Sequence, residues 1–393
     1  MRVLHIIPSY MPAYRYGGPI WSVHNLNKWL VKGGIEVTVY TTNIDGKGTL
    51  DVPAGSEVLL DGVKVYYFPI TSRGWQYSRA LHQALAKSIS SFDIIHITSV
   101  FLSVSTLGAY YAKKFHKPYI ISPRGSLMVE TLKNKSLKKK VYLRVLEKKN
   151  LRGASGIHFT SDEEAKEYKD AGLPLSKSII IPNGLDTSEF DKAVEPGLFR
   201  TKYKIPQNKK IILFLSRISW KKGFDVLISA FRLVREKIPE SVLVIAGGDD
   251  EGYKRKVEEK IKECKLENDV VFTGLITGDL KIAAYKESNV FLYTPYAENF
   301  GMVVLESLYL GLQIVMTDTI GTAENVKKSQ AGFVVKRDQK EAADKVIEVL
   351  TRDKKKADEV IEVGKRLVRE QFAWPGIAGL WVDAYQKLLA TSV

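Results

Sequence analysis

Along the chain, short runs of β-branched and aliphatic residues alternate with longer stretches in which apolar positions recur every three or four residues. "RVLHII" is followed by "PIWSVHNLNKWLVKGG" and "IEVTVYTT", and the rhythm resumes in "KVYYFPI", "DIIHIT", "KPYIISP", "GIHFTS" and "SIIIPNG". Continuous apolar strands separated by amphipathic helices belong to parallel sheets covered on both faces, so the pattern predicts a doubly wound α/β domain. Residues 187–208, "TSEFDKAVEPGLFRTKYKIPQN", are polar, hold two prolines and carry no strand pattern, and they read as a linker. A second series follows: "KKIILFLS", "GFDVLISAFRLVREKI", "SVLVIAGG", "DVVFTG", "NVFLYTP", "GMVVLESLYLG" and "LQIVMTD". It predicts a second parallel domain, related to the first by rhythm and not by sequence repeat. Beyond Gln339 the pattern is helical, broken at "AWPG" (373–376), where proline and glycine stop one helix and redirect the chain. The final amphipathic helix is expected to pack back on the first domain. The expected division is 1–190, joined by 374–393, and 205–373.

A chain of 393 residues, 45% hydrophobic and 26% charged, has the composition of a globular protein of about two domains. Its longest apolar runs fall far short of the roughly eighteen residues that span a bilayer, and "MRVLHIIPSYMPAYRYGG" lacks a signal-peptide layout. The one cysteine, Cys264, rules out an intrachain disulfide and suits a reducing compartment. The expected location is the cytoplasm. Charge modifies that expectation. The net charge of +15 is concentrated early: residues 1–186 hold 25 Lys and Arg against 14 Asp and Glu, compared with 34 against 30 in the remainder. "TLKNKSLKKKVYLRVLEKKNLR" (131–152) contains nine basic residues and one acid. Such a segment suits an anionic membrane face or a nucleic acid, and equally a solvated helix.

Ligands of parallel α/β domains bind beyond the carboxyl ends of the strands, so the chemistry is sought there. G-x-x-x-x-G-K-[ST], H-E-x-x-H, G-x-S-x-G and D-x-D motifs are absent, and the six histidines are scattered, so no metal site is expected. In "YRYGGPIWSV", Gly17 and Gly18 follow the first strand and Pro19 opens a helix; this is either a tight turn or a backbone cradle for an anion. In "LSRISWKKGFDVLISAF", Arg217 ends a strand and Lys222 precedes Gly223 ahead of a helix, so two cations at a strand end are placed to neutralise a diphosphate. In "YTPYAENFGMVVLESLYLG", Glu298 lies in a loop and Glu306 lies roughly 7–8 Å along the helix that starts near Gly301. The free amides of Phe300, Gly301 and Met302 fall between them, so the two carboxylates either hold both ends of an elongated ligand or are an exposed loop acid and a polar-face residue of the helix. An unpartnered carboxylate in "MVVLESLYL" would be costly.

"ENFGMVVLE" resembles the E-x-F-G-x-x-x-x-E signature of retaining glycosyltransferases of family four. The Gly-Gly turn, "DIIHIT", "IPNGLD", "SRISWKKGFDVLISAF", "VIAGGDD" and "VFTGLI" follow in family order over nearly the whole chain. The resemblance implies the GT-B fold of two facing Rossmann-like domains. It also implies transfer of a hexose or its derivative from a nucleotide sugar, often a UDP-sugar, to a saccharide or lipid-linked saccharide acceptor, as in polysaccharide biosynthesis, without metal or other cofactor. By position, Glu298 looks like the carboxylate facing the donor sugar's hydroxyls and Glu306 like the one holding the ribose. Arg217 and Lys222 are similar to the pair that stabilises the leaving diphosphate. Donor contacts are implied for Gly17, Gly18, Asn299, Phe300, Gly301, Met302 and Val303.

Two positions depart from the family pattern. In "ISPRGSL", Arg124 stands where many relatives have histidine, which suggests a cation near the transferring sugar or an anionic substrate, or else a structural arginine. Gln313 stands where proline is usual, and only a loop effect is expected. His96 in "DIIHIT" reads equally as a functional or as a buried, satisfied histidine. Tyr14, Arg15, Arg73 and Trp75, in predicted loops of the first domain, are candidate acceptor contacts. The basic segment suits a peripheral position on the inner face of the cell membrane. Two rival readings remain: a nucleotide-sugar epimerase on the same fold, and a basic nucleic-acid-binding protein. The second rests on charge alone and lacks an aromatic-interleaved basic motif.

Overall fold

Apolar runs become central strands and the amphipathic stretches become the helices that cover them. The computed structural model describes residues 1–133, 137–249 and 252–391, and the side chains of these apart from 130, 133, 137 and 138. The chain forms two units, Met1–Gly184 with Trp374–Val393, and Leu185–Ala373.

The first unit contains β1 (Arg2–Ile6), β2 (Glu36–Thr42), the short pair β3 (Ile44–Asp45) and β4 (Gly48–Thr49), β5 (Glu57–Leu60), β6 (Val63–Phe68), β7 (Ile94–Thr98), β8 (Tyr119–Ser122), β9 (Gly156–Phe159) and β10 (Ser178–Ile180). Eight of these form one sheet in the order β10-β9-β8-β7-β1-β2-β6-β5. All neighbours in it are parallel except β5 against β6. The chain starts at β1, proceeds outward through β2 and β6, then returns to the other side of β1 with β7, so the strand order reverses between β1 and β7. Some helix starts are capped by side chains: Ser78 caps Arg79–Ser88 through the Leu81 amide, and Ser161 caps Asp162–Asp170 through the Glu164 amide, each at 3.2 Å. The terminal helix Trp374–Ala390 buries Trp374, Ile377, Trp381, Tyr385 and Leu388 with Val3, Val23 and Leu26 of this unit.

The second unit has β11 (Lys210–Leu215), β12 (Ser241–Ala246), β13 (Val270–Gly274), β14 (Val290–Tyr293), β15 (Ile314–Thr317) and β16 (Phe333–Val335), in the order β13-β12-β11-β14-β15-β16 and parallel throughout. Ile211, Ile212, Leu213 and Phe214 are all buried, as a strand covered on both faces requires. Each such side chain contributes roughly 1.5–3 kcal/mol.

The expected linker is corrected. Residues 187–208 belong to the second unit, where Phe190, Phe199 and Ile205 are buried in the core. The Glu287 carboxylate accepts from the amides of Phe199 (3.0 Å) and Arg200 (2.9 Å), satisfying the start of the short helix Leu198–Tyr203. A polar average concealed three apolar anchors.

Candidate active site

The order of the second sheet reverses between β11 and β14, and a ligand crevice is expected beyond their carboxyl ends. Two glycines let the loops there close on each other. Gly223 has φ +65°, and a Cβ on it would stand 1.9 Å from the Thr294 carbonyl oxygen; Gly247, after β12, would meet the Ser216 oxygen at the same distance. With Gly223 in place, the Tyr296 amide reaches the Lys221 carbonyl (2.8 Å) and Thr294 Oγ1 reaches the Gly223 carbonyl (3.2 Å).

This closure delivers Lys222 to the end of β14. Its Nζ donates to the Tyr293 hydroxyl (2.9 Å) and to the Glu298 carboxylate, while the Tyr293 hydroxyl donates to the same carboxylate oxygen (2.6 Å). Glu298 is held through its backbone: its amide donates to the Thr319 carbonyl and its carbonyl accepts from Gly321, both at 3.1 Å. The side chains of Lys222 and Glu298 are 13% and 21% exposed, shielded yet reachable by a ligand. Burial opposes charge on both, but their mutual attraction outweighs it. Lys222 is held above its ordinary value and Glu298 below the usual carboxylate range. Burial and then the Glu298 charge push the Tyr293 hydroxyl upward. The trio at neutral pH is ammonium, carboxylate and neutral phenol. Arg217, after β11, is exposed, and no described residue bonds or pairs with its guanidinium.

Helix Met302–Tyr309 starts at Gly301, φ +83°, with no side-chain cap, so its first amides keep their donors. Phe300 is buried and packs edge-on against Phe372 in the core. Asn299, Met302 and Val303 are half-buried around this start. Glu306 is 8% exposed, and its expected cost is met within the protein: Lys281 Nζ lies 2.8 and 2.7 Å from its two oxygens and the Tyr285 hydroxyl donates at 2.8 Å. Each glutamate therefore has its own lysine and its own tyrosine. Tyr293, Lys281 and Tyr285 were not among the sequence candidates. Lys281 and Tyr285 stand four apart on helix Gly278–Lys286, a spacing that puts them on one face and was available as a signal.

In the first unit, two buried hydrogen-bond chains cross the sheet. The Ile181 carbonyl can only accept, so His158 Nε2–H donates to it (2.8 Å) and His158 Nδ1 accepts from the Ser122 hydroxyl (2.8 Å). Ser122 Oγ then accepts from His96 Nε2–H (2.7 Å), and His96 Nδ1 accepts from the Tyr385 hydroxyl (2.8 Å). His5, stacked on His96 at 4.2 Å, is tied to Asn27 and Thr98, each at 2.8 Å. Burial lowers all three histidines, His5 to about 3, and keeps them neutral. His96 is fully buried with both nitrogens committed, which is the satisfied-histidine alternative.

Arg124 follows β8, half-buried, with NH1 donating to Asn183 (2.5 Å). A Cβ on Gly17 or Gly18 would meet nothing within 4 Å, so the turn before helix Gly18–Lys32 is open to an approaching group. Tyr14 stacks on Trp21 (5.0 Å), both rings about half exposed. Arg15 pairs with Asp45 (2.8 Å) and Arg73 donates to the Gly46 and Gly48 carbonyls (3.3 and 3.1 Å), so both brace the β3–β4 hairpin. Trp75, 54% exposed, leans on Tyr142. Part of the basic segment, 134–136, lies outside the described residues. In the rest, Tyr142 and Glu147 point inward, while Lys139, Lys140, Val141, Arg144, Val145, Leu146 and Lys149 are exposed. Among the described residues no helix is long and apolar enough to cross a membrane.

Two parallel sheets that each reverse their strand order, with a cationic strand end facing paired glutamates in the second, define a doubly wound α/β protein. The description "Glycosyl transferases group 1" matches residues 198–367, and "Glycosyl transferase 4-like domain" matches residues 17–184. The chain belongs to the group 1 glycosyltransferases, and its fold is GT-B. It is 26% identical over 216 residues to an uncharacterized glycosyltransferase of Methanocaldococcus jannaschii, covering 54% of this chain and 55% of that one. It is 27% identical over 241 residues to a GDP-mannose-dependent α-(1-6)-phosphatidylinositol monomannoside mannosyltransferase of Mycobacterium tuberculosis, covering 59% and 61%. The match therefore spans less than two thirds of those relatives' own length. A 2-deoxystreptamine N-acetyl-D-glucosaminyltransferase of Niallia circulans is 23% identical over 352 residues, covering 86% and 89%. Among solved structures, Anabaena HepE in complex with UDP and glucose superposes with a TM-score of 0.77 at 18% identity, covering 98% of this chain and 100% of that one. Sucrose-phosphate synthase of Thermosynechococcus elongatus gives 0.75 at 21% identity, with 100% of both covered.

Proposed function

We propose that the protein is a retaining, metal-independent glycosyltransferase that moves a hexose or its derivative from a UDP-sugar to a saccharide or lipid-linked saccharide acceptor. The observation that carries this reading is the Lys222–Glu298–Tyr293 cluster at the switch point, with Arg217 and the Met302 helix start beside it. UDP and glucose bound to the structurally similar HepE support the donor class. Arg217 and Lys222 neutralise the diphosphate as it gains charge, and fixed donors of this kind are among the strongest means of lowering such a barrier. Glu298 orients the sugar hydroxyls and Glu306 the ribose. As the sugar–phosphate bond breaks, the acceptor oxygen bonds to the anomeric carbon from the same face, and its proton passes to the departing phosphate oxygen. The products are a glycoside of unchanged anomeric configuration and UDP.

The test is a thermal-shift panel of nucleotide sugars, followed by NMR of the product's anomeric proton with the donor that shifts most. A shift with a UDP-sugar and retained configuration are expected. No shift with any member, an inverted product, or conversion of the donor to its epimer without acceptor would overturn the reading. A lipid-linked acceptor is favoured by the exposed apolar residues Val141, Val145 and Leu146 set among lysines. Co-sedimentation with vesicles containing phosphatidylglycerol should exceed that with phosphatidylcholine alone and fall in Val145→Glu. Equal partition removes the membrane component.

A further inference from the structure

The guanidinium of Arg124 is only half satisfied, and its position is an enforced one. Arg124 has φ +53°, and Ser99 and Phe101, after the neighbouring β7, have φ +83° and +66°. Left-handed conformations in such residues are unfavourable, and they persist where the surroundings impose them, often at functional sites. Here the Glu164 carboxylate imposes the turn: it accepts from the Gly125 amide (2.6 Å) and from the Thr160 amide and hydroxyl (2.7 and 2.9 Å).

Arg124 itself spends one donor. NH1 reaches Asn183, Nε is buried with no partner, and NH2 has no bond to a described residue. Nε–H and the adjoining NH2 are the side-on pair that a carboxylate or phosphate engages through two parallel hydrogen bonds. The charge is also poorly answered. Burial lowers Arg124 to about 10, which leaves it protonated at neutral pH. Its electrostatic neighbours are the neutral His5, His96 and His158, the neutral Tyr385 phenol, and Glu164, whose oxygens serve Gly125 and Thr160. A shielded cation with two idle donors at the carboxyl end of a parallel strand is arranged for an incoming oxyanion.

We propose that Arg124 is an anion-recognition residue of the first unit, taking a carboxylate or phosphate group carried by the saccharide substrate through Nε and NH2. The protein then works on an acidic sugar. This inference rests on the glycosyltransferase reading above and narrows its substrate class.

Ligand-observed NMR titrations of the full chain test it, with D-glucose, D-glucuronate, glucose 6-phosphate and inorganic phosphate as probes against wild type, Arg124→Gln and Arg124→Lys. Wild type should bind one acidic sugar roughly 10- to 100-fold more tightly than glucose, the range expected of a charge-assisted pair. Glutamine can keep a bond to Asn183 but has no charge or fork, so Arg124→Gln should lose that preference. Arg124→Lys keeps the charge without the fork and should retain only part of it. If Arg124→Gln does not fold by circular dichroism, the lysine variant carries the comparison. Preference for glucuronate assigns a carboxylate, and preference for glucose 6-phosphate assigns a phosphate. Equal binding of acidic and neutral sugars, a preference that survives in both variants, or inorganic phosphate binding as tightly as either acidic sugar overturns the assignment. UDP titrated into wild type is read separately: its failure to bind would count against the nucleotide-sugar reading, whereas the acidic-sugar comparison judges Arg124.

Discussion

The Lys222–Glu298 contact invites a double-mutant cycle, because its two jobs separate in it. Exposed ion pairs contribute about 0–1 kcal/mol, and breaking a fully buried one costs about 3–5 kcal/mol. With side chains 13% and 21% exposed and Tyr293 bonded to both, this pair lies between those limits. Lys222→Met or Glu298→Gln should each cost about 1.5–3 kcal/mol, or roughly 3–12 °C in melting temperature for a unit of this size. The double variant strands neither charge and should recover about 1–2 kcal/mol relative to additivity. Turnover should not follow. Loss of a donor to the developing charge costs on the order of 100- to 1000-fold, and removing the carboxylate as well cannot restore it. Melts and UDP release are measured on all four proteins at pH 7. Glu298 has a depressed folded value, so its contribution is complete above the unfolded value of about 4.3 and is lost as pH falls through the folded one; the coupling should fade in melts taken through that lower range. Coupling below about 0.5 kcal/mol, or a double variant with wild-type turnover, would refute this account.

Glu306→Gln should weaken UDP binding by about 10-fold and, because its pair with Lys281 is about as shielded as that of Lys222 with Glu298, should cost a similar amount of stability, about 1.5–3 kcal/mol; unchanged affinity in a UDP titration would remove Glu306 from the ribose. Gly223→Ala should cost more than about 2 kcal/mol in a thermal melt, because its Cβ meets backbone at 1.9 Å in a left-handed conformation, and a loss under about 0.5 kcal/mol would show that the loops can part. His5, His96 and His158 all have folded values below the ordinary 6.5, so the unfolded chain takes protons first. Each should lower stability by about 1.4 kcal/mol per pH unit below about 6.5 until its folded value is reached. Urea melts at pH 7, 6 and 5 should show that decline, with one proton less of slope in His158→Gln; a flat profile contradicts the buried neutral chain.

The doubly wound fold was legible because both sheets are built from strands apolar on both faces, a pattern that few other structures produce. The edge strand β5 was not: "EVLL" is short, half-exposed and antiparallel. The linker was misread because Phe190, Phe199 and Ile205 are diluted by charged neighbours, and only the fold shows that they meet one core. In the site, glycines, cations and glutamates could be named from sequence, but their partners could not. Glu306 meets Lys281 across 25 residues and Lys222 meets Glu298 across 76, distances along the chain that only strand order closes. At Arg124 the substitution itself was visible; the idle Nε and NH2 were not, because Asn183 and Glu164 come from later strand ends and helices.

Those hidden partners alter how the proposed site works. At rest, Lys222 and Glu298 cancel and Lys281 and Glu306 cancel, while exposed Arg217, which pairs with no described residue, keeps its formal positive charge at the strand end, beside the partial charge of the helix start. A UDP-sugar brings a diphosphate, and bond cleavage adds a further negative charge to it. First capture then falls to exposed Arg217, whose loss should raise KM as well as lower kcat. Lys222 is already fixed by Tyr293 and Glu298, so it cannot swing out to meet the donor and contributes chiefly once the departing phosphate is drawn against it. Its loss should appear in kcat more than in KM. The same contact keeps the Glu298 carboxylate ionised, so in the proposed mechanism the lysine that would stabilise the leaving group also prepares the carboxylate that would align the sugar. The proposed mechanism thereby couples sugar alignment and cleavage through one ion pair, and a variant that changes either member should lower kcat.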